Sequence, residues 1–316
     1  MEKWKRLLIG GVVIVLLLLI PLVMKRADIL TWLFLVFLFI TLSQSWNILG
    51  GYAGQVNLGH AAFFGLGALT TRLLWLSGFH FVFALLAGGM AALIFALIIG
   101  VPAFSLRGPY FIIGMFALAE ILRITVDNAF PTISVMPVEY ITAYDIVPRY
   151  YLGLGVMIVA VAVVYAMTNS RLGLGMMAIR EDEDTAEASG VDTLKYKLLA
   201  LLLSAFFAGL AGGTFAFFHA SYYHSYSFAP VWTFDALFIA YVGGIGMVIG
   251  PIIGSLFYVA FREALSIVLP VKIHVFTFGT LFILVILFMP GGLVEVGTRT
   301  RGIWSSLLSL KRKRCL

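Results

Sequence analysis

Few residues in this chain are of a kind that does chemistry, and their placement limits what that chemistry can be. Of the five histidines (His60, His80, His219, His224 and His274), only His219 and His224 lie close enough to share a ligand. Tyr222, Tyr223 and Tyr226 surround that pair, so it reads as part of an interfacial aromatic belt and not as a metal site. The chain contains no H-E-x-x-H, no G-x-S-x-G, no paired catalytic carboxylates and no Gly-Lys dipeptide. Zinc-protease, serine-hydrolase and phosphate-loop chemistry therefore have no carrier, and we expect neither a catalytic site nor a bound cofactor. The single Cys315 excludes a disulfide framework or a Cys-based metal site. Three constellations are left. Glu120 and Arg123 lie three apart, on one helical face, as a structural ion pair or a gate. Ser43, Gln44, Ser45 and Asn47, then Gln55, Asn57 and His60, flank the glycine-dense run Gly50-Gly51-Tyr52-Ala53-Gly54. Residues 170–197, SRLGLGMMAIREDEDTAEASGVDTLKYK, form a hydrophilic island.

The elements that must hold these groups are membrane helices. Of 316 residues, 62% are apolar and 11% charged, and the mean hydropathy is +1.05. A soluble globule carries about 25% charged residues, and a disordered chain is poor in aromatics, so both classes are excluded. Between Asp28 and Arg72 lie 43 residues without a charge, and Leu73–Leu106 adds 34 more. Such gaps suit helical spans and are too long for barrel strands. They predict an all-α polytopic protein of eight to ten spans, a single transmembrane domain over 1–316. The spans fall near 7–24, 29–48, 57–76, 79–101, 109–126, 150–168, 198–218, 231–243, 250–268 and 272–289, and 231–268 crosses once or twice. The first apolar run lacks a small-residue cleavage site, so a retained span is expected over a signal peptide. Lys3, Lys5 and Arg6, island 170–197 and the basic tail 297–316 place both termini in the cytosol of a cell (inner or plasma) membrane protein, with Lys25 and Arg26 as exceptions. The net charge of +6 is concentrated in that tail, which reads as an anchor on anionic lipid and not as a nucleic-acid surface.

Glycines punctuate the spans. Gly209 and Gly213, and Gly246, Gly250 and Gly254, have the spacing that lets helices approach closely. Gly50 and Gly54 have it too, and the run Gly50, Gly51 and Gly54 is dense enough to interrupt a span. Non-helical backbone at membrane depth must lie against protein or a water-filled cavity, so Asn47, Gln55, Asn57 and His60 either satisfy that backbone or line a translocation path. In the island, Met176–Ser189 is rich in helix formers and Gly190 is placed as a C-cap. Small apolar Ala178, Ala186 and Ala188, with a charged rim from Arg180 through Glu181, Asp182, Glu183 and Asp184, suit a helix that docks into a groove on a partner.

The string A-I-R-E-D-E-x-x-A-x-A-x-G at 178–190 continues into K-Y-K-L-L-A and S-A-F-F-A-G-L-A-G-G. With residues 47–68 (NILGGYAGQVNLGHAAFFGLGA), 243–254 (GGIGMVIGPIIG) and 288–293 (FMPGGL), it resembles the permease subunits of branched-chain amino acid ABC importers. Asp184 and Thr185 depart from the apolar or Ala residues of many relatives. The resemblance implies that Ala178, Ile179, Arg180, Glu181, Asp182, Glu183, Ala186, Glu187 and Gly190 form a coupling helix seated on an ATPase subunit. It implies a second homologous permease, two ATPase subunits that hold the ATP and Mg, and an external solute-binding protein. Urea or short amides remain alternative cargoes. An ion-driven secondary transporter would want several buried carboxylates, and only Glu120 and Asp235 qualify.

Overall fold

The computed structural model describes residues 2–24, 26–142 and 144–268, then 277, 279–280, 283–284, 287 and 291–294. The expected span at 272–289 is thus described only at scattered residues, and the tail at 297–316 lies outside the described residues. The chain runs through α1 (Glu2–Val23), α2 (Ala27–Asn47), a π-helical turn (Ile48–Tyr52), α3 (His60–Leu76), α4 (Phe81–Phe104) and α5 (Pro109–Ala129). Strand β1 (Ile133–Val135) and the short α6 (Val138–Thr142) lead into α7 (Ile146–Thr168), α8 (Arg171–Glu181), α9 (Glu183–Ala188) and α10 (Thr193–Phe218). Strand β2 (Ser221–Tyr223), a 3-10 turn (His224–Phe228), α11 (Val231–Gly243) and α12 (Gly250–Val268) follow. Among the described residues, five helices are long and apolar enough to cross a membrane: α2 with its π turn, α4, α5, α7 and α10. The chain is an all-α multi-pass membrane protein. The 231–268 region is two helices, not one broken rod.

Helix α10 is the centre of the bundle and packs on α2, α3, α4 and α7. Small residues let it: a Cβ on Gly67 of α3 would overlap the Gly209 backbone, and one on Gly213 would meet Thr71 and Leu85. Where lipid gives no hydrophobic drive, such close backbone approach is the main source of helix association. Gly254 packs in the same way on the Ile239 carbonyl of α11. Gly246 departs from the expected helix stripe. It lies in the 244–249 link with φ +73°, a left-handed backbone that glycine adopts without strain.

The last four carbonyls of a helix have no partner within it, and in a membrane an unpaired one is costly. Every one at the end of α10 is matched. Phe215 O takes the His219 amide. Ala216 O takes Arg72 Nη1 at 3.1 Å, Phe217 O takes Arg149 Nε at 3.0 Å, and Phe218 O takes the Tyr144 hydroxyl at 3.1 Å. Arg72 is fully buried and also donates to His219 O, Ala220 O, Ser134 O and Ser134 Oγ, so its five N–H groups are all used. It thereby ties α10 to the two-stranded β1–β2 ribbon, in which Ser134 faces Tyr222. The negative end of the helix macrodipole offsets part of the charge on both guanidiniums. A second repair joins α1 to α7. Pro21 has no N–H for the Leu17 carbonyl, and the Tyr150 hydroxyl donates to that oxygen at 2.7 Å.

Candidate functional site

The glycine run of the sequence is a structural turning point. Helix α2 widens at its end into the π turn Ile48–Tyr52, a form that concentrates at functional sites. Residues 53–59 then return along α2 without helical structure. Trp46 Nε1 donates to Asn57 O at 2.9 Å, and Ser45 Oγ lies 2.8 Å from His60 Nε2, so α3 begins level with Ser45. Seven helical residues separate Ser45 from Tyr52, so α3 starts roughly 10 Å inside the end of the α2 column. This is non-helical backbone at depth, and it is covered by protein: a Cβ on Gly59 would overlap the Met115 carbonyl.

The polar residues flagged around this break have specific partners. Asn47 Oδ1 accepts from Gly246 N at 2.8 Å, and its Nδ2 donates to Met247 O at 3.1 Å. Gln44 Nε2 donates to Val248 O. Asn57 Oδ1 accepts from Gly59 N at 2.8 Å, closing a local turn. Asn57 Nδ2, His60 Nδ1 and Gln44 Oε1 are buried without a hydrogen-bond partner among the described residues. Asn47 and Asn57 thus hold backbone in place and His60 pairs with the Ser45 hydroxyl, whereas Gln55 borders a cavity of about 410 Å³.

That cavity is walled by residues 53–56, by 106–108, Phe111 and Ile112 at the start of α5, and by 179–184 of the hydrophilic island. The island is two short helices. Asp182 is extended (φ −161°, ψ 115°), so α8 stops at Glu181, and the Asp182 side chain caps α9 by accepting from Thr185 N at 2.7 Å. That amide holds the Asp182 carboxyl below its usual titration range. Gly190 follows α9 with φ +86°, while its own N–H reaches Glu187 O and Val191 N–H reaches Ala186 O, a Schellman closure.

The single docking helix expected over 178–190 is therefore jointed, and its apolar side faces inward. Ile179 and Ala186 are 3% and 4% exposed, buried against the bundle, and Ala178 is half-buried. Lys197 Nζ grips Glu183 at 2.6 Å, and its side chain lies over the Phe104 ring. The surface left outward is acidic: Glu181, Asp182, Asp184 and Glu187 are exposed. Arg180, expected on that rim, is exposed too, and its Nη1 donates to Gly51 O at 2.8 Å, inside the π turn, while Gly54 lies against its Cα. A Cβ on Gly246 would collide with the same guanidinium. Gly292 packs in turn on Gly244. Four stretches scattered from Asn47 to Leu293 thus meet at one end of the bundle, with Arg180 as the link between the first three.

The pair Glu120–Arg123 lies apart from this cluster, on α5. Arg123 Nε donates to both Glu120 carboxylate oxygens at 2.9 Å, and Nη2 to one of them at 2.5 Å.

Residues 28–288 match the family described as the branched-chain amino acid transport system permease component. The high-affinity branched-chain amino acid transport system permease protein LivM of Escherichia coli is 26% identical over 295 residues, covering 83% of this chain and 69% of its own. The Salmonella typhimurium LivM is 25% identical over 292 residues, covering 82% and 68%. A probable LivM of Methanocaldococcus jannaschii is 25% identical over 140 residues, covering 40% and 41%. No solved structure matches the chain. With the family matched over most of its length and its motif stretches gathered around one helix break, the chain belongs to the branched-chain amino acid transport permease family.

Proposed function

We propose that the chain is the membrane-spanning subunit of an ATP-binding-cassette importer that carries branched-chain or related apolar amino acids into the cell. It works beside a second, homologous permease. Two ATPase subunits bind ATP and Mg, and an external binding protein delivers the solute. Both termini and the α8–α9 segment lie in the cytosol.

The observation that carries this reading is the bond from Arg180 to Gly51 O. A partner that moves α8 and α9 pulls through it on a π turn, and the turn in turn positions the re-entrant stretch 53–59. The acidic outer surface of α8–α9 suits an ATPase groove with a basic rim. A neutral, aliphatic cargo handed over by a binding protein needs only a transient site, which agrees with a bundle in which most polar groups are occupied by backbone.

The test is purification from the native membrane in mild detergent with every stoichiometric companion identified, followed by uptake of labelled leucine in proteoliposomes. Two phosphate-loop ATPases and a second permease, with uptake suppressed by valine and isoleucine and indifferent to urea, support the proposal. Suppression by urea instead assigns the small-amide cargo. A lone protein that moves solute under an ion gradient without ATP refutes it.

A further inference from the structure

Helix α5 is the least enclosed of the long spans. Only 22% of its most apolar window is buried, against 72% for α10. Glu120 and Arg123 are the twelfth and fifteenth of its 21 residues, which puts them near the middle of the membrane. Each side chain is 33% exposed. A charge pair at that depth does not face hydrocarbon; such groups look onto protein or a water-filled passage.

The helix geometry shows where that passage leads. Ile112, Phe116, Glu120 and Arg123 are spaced by four, four and three residues, so they form one stripe, and all four are half-buried. Ile112 is also a wall of the 410 Å³ cavity beside the break. The stripe therefore climbs from the cavity to the ion pair, about 12 Å above it. Four other charges of the bundle are committed elsewhere. Arg72 and Arg149 are occupied by backbone carbonyls, and Asp235 and Arg262 are joined through the Tyr258 hydroxyl. Among the described residues Glu120 and Arg123 hold only each other by hydrogen bonds, and each side chain is a third exposed.

We propose that Glu120 and Arg123 receive the zwitterionic end of an α-amino acid in transit, the carboxylate taking the ammonium and the guanidinium taking the carboxylate, on a path that descends the α5 stripe to the cavity. This rests on the amino acid importer reading and names the residues that would serve it. The resting pair neutralises itself, so the passage carries no net charge when empty. A zwitterion exchanges one pairing for two, and the aliphatic side chain has Phe116 and Ile112 below it. The opposite wall belongs to the second permease.

The experiment uses the whole transporter in proteoliposomes. Replacing both partners, E120L with R123M, removes the ion pair without stranding a charge, so folding and assembly are kept. Leucine uptake should fall by at least about a hundred-fold, the loss of two charge-assisted contacts, while companions co-purify in wild-type ratio. Uptake within two-fold of wild type shows a merely structural pair and overturns the assignment. A second measurement does not depend on that variant. With Cys315 replaced by Ser, F116C should react with a membrane-impermeant thiol reagent, saturating leucine and binding protein should slow the reaction, and I113C on the neighbouring exposed face should stay inert. An inert F116C in an assembled complex also overturns it. A wild-type complex that moves no amino acid sinks both readings. Leucine uptake that survives in the wild type and in the double variant alike sinks this one alone.

Discussion

Arg72→Met tests whether the end of α10 is held by a guanidinium acting on carbonyls. Arg72 donates to four carbonyl oxygens and one hydroxyl. Methionine fills much of the same volume and donates nothing. His219 and Ala220 are half-buried, so water can replace the lost donor there. Ala216 and Ser134 are buried, at 0% and 8% exposure, and their carbonyls are left without one. Two stranded carbonyls cost about 2–6 kcal/mol together. Loss of the guanidinium over the Tyr222 ring, 5.2 Å away, adds about 1 kcal/mol. A central figure of about 4–5 kcal/mol lowers the folded-to-unfolded ratio by roughly a thousand-fold. Arg149→Met removes two carbonyl bonds and the stacking on Tyr144, and should cost about half as much. Arg72→Lys, with three donors and no planar fork, should fall between Met and the wild type. Reversible titration of the purified subunit with dodecyl sulfate in mixed micelles, followed by tryptophan fluorescence, reads all three. Arg72→Met within 1 kcal/mol of wild type, or Arg149→Met the more damaging, refutes the carbonyl accounting.

Arg180→Ala should lower leucine moved per ATP by about five- to ten-fold with assembly intact, since one charge-assisted bond on a half-exposed side chain is lost; an unchanged ratio in proteoliposomes refutes the link. Gly67→Leu should abolish recovery of folded protein, because even a Cβ there overlaps the Gly209 backbone, whereas Gly155→Leu, with open space around it, should express normally. Asp182→Ala should speed hydrogen exchange at the Thr185 amide by roughly five-fold. The folded carboxyl titrates below its unfolded value, so the cap is complete above about pH 4 and is lost as pH falls further. A Thr185 protection factor, taken against the intrinsic exchange rate at each pH, that is the same at pH 7 and in acid refutes the capping role.

Charge gaps marked the five long apolar helices found among the described residues, because a charged side chain at membrane depth is costly and the remaining runs match helix lengths. The glycine run at 50–54 was legible as an interruption, but the π turn and the return beside Ser45 and Trp46 were not. They depend on bonds to residues 57 and 60 whose geometry no local pattern encodes. The inward face of α8–α9 could have been read more closely. Ile179, Glu183 and Ala186 have helical spacing, which makes one inward stripe more natural than an outward alanine patch. Asp182 followed by Thr185 was likewise a capping signal inside the expected helix. Arg72 looked like a boundary charge, because a sequence shows a guanidinium but not the carbonyls a distant helix end leaves open. The convergence on Arg180 joins positions about 130 and 65 residues away on either side, and three-dimensional packing alone reveals it.

The donors that close the end of α10 also set a sequence of events in biosynthesis. Arg72, Tyr144 and Arg149 all precede α10 in the chain. When the ribosome delivers Thr193–Phe218, the groups that will receive its last carbonyls are already in the membrane. The central helix is therefore among the late arrivals, captured by a scaffold assembled before it. A truncated chain ending at Phe218 would still possess every side-chain donor that α10 requires, whereas one lacking the first 72 residues would insert the same helix with its Ala216 carbonyl left unpaired.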